Sequence, residues 1–107
     1  MIRHIVWWTL KPEAEGRSAA ENALLIKQRL EALRDQIPGL VSIDVALDFL
    51  ESSTLPVQVL LTSVHENAEA LKVYASHPKH VAIGQELVSR VTSSRQAIDA
   101  VFEPSSR

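Results

Sequence analysis

Ile2 to Leu10 (IRHIVWWTL) is dense in β-branched and aromatic residues and is apolar on both of its faces. Successive side chains of an extended chain alternate between faces, so Ile2, His4, Val6, Trp8 and Leu10 point one way and Ile5 and Trp7 the other. A strand of this kind belongs to a sheet covered on both sides. Lys11-Pro12 closes it, because proline has no N–H for the ladder. The chain's 107 residues suffice for one core, which predicts a single domain over 1–103 and a polar tail over 104–107.

Further along, Ala23, Ile26, Leu30, Leu33 and Ile37 recur three or four apart, which predicts a helix from about Ser18 to Ile37, ended by Pro38-Gly39. Val41 to Phe49 alternates strictly, with Val41, Ile43, Val45, Leu47 and Phe49 on one face of a second strand. Glu51 to Thr54 holds turn-forming residues, and Val57 to Val64 returns as a third strand. Helix resumes after Asn67, breaks at Ser76-His77-Pro78, and continues from Lys79 to Val91; Arg95 to Phe102 reads as the last strand. The order β-α-β-β-α-β predicts an α+β, ferredoxin-like sandwich. Two helices cover only one face of such a sheet, so the apolar residues of the other face predict a homodimer formed through sheet faces.

Composition narrows the function classes. A net charge of −2, without a Lys/Arg cluster, lacks the footprint that nucleic acid or an anionic membrane requires. The absence of cysteine removes disulfides, thiolate nucleophiles and Cys-containing zinc sites, and is compatible with a cytoplasmic setting. No apolar run approaches the roughly 18–20 residues of a membrane span, and the first ten residues alternate as a strand does, unlike a signal peptide.

Three segments carry a family resemblance: Met1 to Val6, Ile37-Pro-Gly-Leu-Val-Ser42, and Tyr74-Ala-Ser-His-Pro-Lys-His-Val81. Together they resemble the stress-responsive dimeric α+β barrel family, whose signature is a tyrosine followed by His-Pro-x-His. The resemblance implies two sheets paired into a barrel. It does not fix an activity, since the family spans stress-associated proteins of undetermined activity and plant polyketide cyclases. In the cyclases the tyrosine and the second histidine of the signature are catalytic, which corresponds to Tyr74 and His80 here. His4 matches a pocket-side histidine of the first strand, and a further cyclase histidine of the third strand falls near Gln58.

The residues themselves support such chemistry. Pro78 suits a helix's first turn and pushes His77 towards an extended conformation, so His80 falls in that first turn. The helix dipole there disfavours imidazolium and predicts a neutral general base. A phenol at Tyr74 donating to an enolate oxygen beside that base is the minimum equipment for intramolecular aldol closure. His4, Trp8 and His77 are the candidate ligand-binding residues around the pair, although His77 also suits a helix cap. His65, beside Glu66 at a strand end, reads as a loop residue, and Lys27, Glu31 and Arg34 read as a solvated helix face. His77 and His80 have an i, i+3 spacing, but the proline between them and the lack of a nearby carboxylate predict no metal; no cofactor is expected. Three classes stay open: a cyclase-type enzyme, a non-catalytic binder of a small apolar or aromatic ligand, and a structural stress protein that forms larger assemblies.

Overall fold

The computed structural model describes residues 1–105, so the end of the predicted polar tail lies outside the described residues. The elements are β1 (Ile2–Leu10), β2 (Glu13–Ala14), β3 (Arg17–Ser18), α1 (Ala19–Glu31), β4 (Leu40–Ala46), β5 (Val59–His65), α2 (Ala68–Ser76), α3 (Pro78–Ile83), a π-helical turn (Gly84–Val88), α4 (Ser89–Val91) and β6 (Thr92–Val101). The four long strands form one antiparallel sheet in the order β4-β5-β1-β6. The ferredoxin-like sandwich read from the sequence is therefore the fold.

On β1 the faces divide as the alternation requires. His4, Val6, Trp8 and Leu10 are buried beneath the helices, in a core that includes Ile26, Leu30, Tyr74, Ile83 and Leu87. The opposite face presents Ile5 between Thr62 and Ile98, and Trp7 between Leu60 and Gln96. Ile98 is 53% exposed, and Ile5, Trp7, Leu60 and Val64 are only half-buried. An apolar sheet face thus stands uncovered within one chain. On β6 even the helix-facing residues Arg95, Ala97 and Asp99 are exposed, because the helices do not extend over this edge.

The structure departs from the sequence reading at several places. The first helix ends at Glu31, and Ala32 to Gln36 continue as turns, with Asp35 at a φ of 64°. Leu33 and Ile37 still reach the core, so the apolar period ran past the helix. On the second strand a register shift between Leu40 and Ser42 leaves Val41 half exposed, and pairing stops at Ala46, so Val41, Leu47 and Phe49 do not share the buried strand face of Ile43 and Val45. Glu15 and Gly16, both at positive φ, turn the small β2–β3 hairpin, which the sequence reading lacked. Buried Asn22 ties that hairpin to α1 by donating to the Ala14 carbonyl and accepting from Arg17 Nε. Ser18 and Glu21 close the start of α1 with a reciprocal capping box.

The charged residues of α1 do more than face water. Glu31 accepts from the Val45 N–H, Lys27 donates to the Val45 carbonyl and Arg34 to the Ile43 carbonyl. These bonds occupy the free edge of β4, whose bare ladder would otherwise be a template for another strand.

Gly39 sits at a φ of 81°, and its carbonyl accepts from the Glu66 N–H where β4 meets α2. A Cβ built there lies 2.6 Å from the Ala70 Cβ. Gly16, at a φ of 73°, has nothing within 4 Å of the same position. In urea unfolding Gly39→Ala should lose roughly 2–4 kcal/mol, from backbone strain plus collision, and Gly16→Ala about 1 kcal/mol, from strain alone. Equal losses would contradict this account of Gly39.

Candidate functional site

Between the sheet and the helices lies a cavity of about 160 Å³. Its floor is the inner face of β1, with His4, Val6 and Trp8, extended by Leu61 of β5 and Arg95 of β6. Leu30 of α1 and Leu71, Tyr74 and Ala75 of α2 form one wall, and His80, Ile83, Gly84 and Val88 the other. An apolar cavity of about 150 Å³ can hold a benzene-sized molecule, so this one suits a small, flat ligand.

The helix break positions Tyr74 and His80 relative to each other. His77 ends α2 and begins α3: its φ of −64° and ψ of 132° are extended, and its Nδ1 accepts from the Lys79 N–H at 3.1 Å. Pro78 opens α3, as its missing N–H and fixed φ favour. The change of direction brings the His80 ring to 4.3 Å from the Tyr74 ring, centre to centre. His77 itself is not among the residues lining the cavity, and its ring nitrogen Nδ1 is engaged in the cap. Trp8 and His4 do line it. Gln58 does not: it lies outside β5, and its side-chain oxygen accepts from the Leu10 N–H at 2.6 Å.

Hydrogen bonds fix the tautomer of His80. Its Nδ1 lies 3.2 Å from the Ala75 carbonyl, which can only accept, so Nδ1 carries the proton and Nε2 keeps its lone pair. Burial holds the imidazole below its ordinary pKa; the Ala75 carbonyl opposes this, and the charges of His4, Arg95 and His77 add to it. Desolvation is the largest of these causes, and it acts in the direction expected from the sequence. Burial likewise pushes Tyr74 well above the ordinary phenol range, with Arg95 opposing, so Tyr74 stays a neutral donor. Its hydroxyl and the Trp8 indole N–H are buried without a hydrogen-bond partner among the described residues. Such groups cost free energy unless something pairs with them.

Behind the pair lies a second set of rings. His4 Nδ1 is hydrogen-bonded to Asp99, which stands opposite it on β6. His65 packs edge-on against Tyr74 at 4.8 Å and faces His4 at 6.1 Å. No group of His, Asp and Glu able to hold a metal occurs among the described residues.

The antiparallel four-stranded sheet and the helices on one face, with the cavity between them, define a ferredoxin-like α+β domain. The Stress responsive A/B Barrel Domain family model matches residues 2–102. The chain belongs to this stress-responsive A/B barrel (Dabb) family, for which no specific activity follows from membership alone. Its structure is similar to that of a dimeric protein of unknown function with a ferredoxin-like fold from Bacteroides fragilis, at 30% identity over 94% of this chain and 95% of that one, with a TM-score of 0.73. It is similar to a Dabb family protein from Mesorhizobium loti, at 19% identity, 96% and 97% coverage and a TM-score of 0.75. A hydroxynitrile lyase from Passiflora edulis shares the fold at 11% identity, 97% and 94% coverage and a TM-score of 0.77. Among curated proteins no sequence matches.

Sequence reasoning missed His65, Asp99 and Arg95. His65 is the last residue of β5 and wholly buried, not a loop residue, because β5 runs one residue past the predicted strand end and pairs His65 with Ile2 and Leu40. Alternation held the signal: His65 continues the buried series Val59, Leu61, Ser63. Burial, with the charge of His4 adding and that of Asp99 opposing, lowers its pKa from 6.5 to about 4. Between those values the unfolded chain binds a proton that the folded chain refuses, so stability is full above pH 6.5 and falls as pH drops towards 4. The loss should be on the order of 3 kcal/mol, and His65→Gln should flatten it. Urea midpoints measured across this range test the assignment, and an unchanged pH profile in the variant would refute it.

Proposed function

We propose that this chain works as a homodimer whose cavity binds a small carbonyl compound, with His80 and Tyr74 moving a proton next to the carbonyl group. The observation that carries the reading is that Tyr74, whose buried hydroxyl has no partner among the described residues, and His80, whose proton sits on Nδ1, both line one apolar cavity. His80 Nε2 accepts the proton from the carbon beside the carbonyl. Tyr74 donates a hydrogen bond to the oxygen that gains charge. The enolate carbon then either attacks a second carbonyl of the same molecule, whose oxygen takes the proton back from the imidazolium, or is itself reprotonated by the imidazolium. This is the cyclase-type alternative raised by the signature. The hydroxynitrile lyase on the same fold is compatible with proton handling here, but at 11% identity it supports only the fold.

The uncovered face around Trp7, Ile5 and Ile98 supports a partner sheet, and the B. fragilis relative is described as dimeric. The side chains that block the β4 edge argue against a partner strand added there. A cytoplasmic location fits the lack of cysteine.

Exchange of deuterium into the methyl group of a small aryl ketone such as acetophenone, followed by NMR in D₂O, tests the chemistry without knowledge of the natural substrate. The wild-type protein should accelerate exchange. His80→Gln should slow it by about 10²–10⁴-fold and Tyr74→Phe by about 10²–10³-fold. Native mass spectra of all three proteins should show twice the chain mass. Exchange that survives His80→Gln, or a variant that unfolds or falls to single chains, would overturn the role given to His80.

A further inference from the structure

Two residues of the cavity wall, Trp8 and Arg95, carry side-chain hydrogen-bond donors and no acceptor. Trp8 and Arg95 are direct cross-strand neighbours on the inner face of β1 and β6, and both line the cavity. Facing pairs of this kind hold their Cβ atoms about 4.5–5.5 Å apart. The Trp8 side chain is 5% exposed, and its indole N–H, a donor only, is buried and unpartnered among the described residues. Arg95 makes no ion pair with a carboxylate among the described residues, although Asp99 shares its strand and face; Asp99 is engaged by His4 instead. Among the described residues of the wall Arg95 is the one Lys, Arg, Asp or Glu, and it is exposed, which places it at the mouth.

We infer that the cavity selects a small carboxylate, whose oxygens are held at the β1–β6 end by the Arg95 guanidinium and the Trp8 indole N–H while its apolar body enters the cavity. A guanidinium presents a planar fork that matches a carboxylate, and its donors bond charged oxygens roughly twice as strongly as neutral ones. A phosphate dianion would call for more positive charge and more N–H groups than one guanidinium and one indole supply. The remaining wall is apolar apart from neutral Tyr74 and the histidines, so the body of the ligand is an aryl or short alkyl group. This inference rests on the cavity reading above and narrows its substrate class to carbonyl compounds that carry a carboxylate.

Titration calorimetry with benzoate, its neutral near-isostere benzamide, and phenyl phosphate tests it on the intact protein. Benzoate should bind about tenfold or more tightly than benzamide, and phenyl phosphate no more tightly than benzoate. Arg95→Gln should erase the preference for benzoate over benzamide, and Arg95→Lys should restore part of it. Arg95 is exposed, so neither change threatens the fold. Equal binding of benzoate and benzamide, or a preference that survives Arg95→Gln, would overturn the carboxylate while leaving the cavity standing. A preference for phenyl phosphate would overturn it in favour of another anion. Binding of none of the three would overturn the cavity reading, and this inference with it.

Discussion

Two apolar faces on β1 are the constraint on which the rest of the structure depends. This strand is central in the sheet, between β5 and β6, so whatever it buries decides what lies above and below. Its inner face supplies the cavity floor through His4, Val6 and Trp8, and its outer face supplies the unmet apolar surface around Ile5 and Trp7. Fully burying a large apolar side chain is worth about 1.5–3 kcal/mol, so the helices hold the inner face strongly, and the same physics favours a second sheet against the outer one. A single strand thus ties the site to the assembly.

The cavity itself depends on an interruption. A continuous helix from Ala68 onwards would carry residues 74 and 80 six positions apart, more than one and a half turns, and so on different faces. The His77-Pro78 step breaks the helix, and the two rings meet. The π-helical turn that follows, where Leu87 and Val88 are buried side by side, keeps Val88 in the cavity wall while Leu87 stays in the core. The result is a small apolar space walled in part by Trp8 and Tyr74, whose buried donors lack partners among the described residues.

Much of this was legible in the sequence, and the remainder failed for identifiable reasons. Alternation and helical spacing located all four long strands and both helical segments, and Tyr74, His80, His4 and Trp8 do line one cavity. The His-Pro step announced the break but not its consequence for His77, since whether an imidazole caps or faces a ligand depends on a rotamer that sequence does not encode. Arg95 and Asp99 were opaque because each gains its meaning from a cross-strand neighbour, Trp8 in one case and His4 in the other, about ninety residues away in the chain. Lys27, Glu31 and Arg34 looked like solvated charges because their partners are backbone atoms of β4, invisible to any pattern of residue types.

The central claim is that burial keeps His80 neutral with its proton on Nδ1, leaving Nε2 free at the cavity beside Tyr74. Long-range ¹H–¹⁵N correlation of ¹⁵N-histidine-labelled protein reads charge and tautomer of each ring directly. The account predicts that at pH 7 His80 shows a protonated Nδ1 and an unprotonated Nε2, and that it titrates below the ordinary imidazole value. An imidazolium at pH 7, or a proton resident on Nε2, would contradict it.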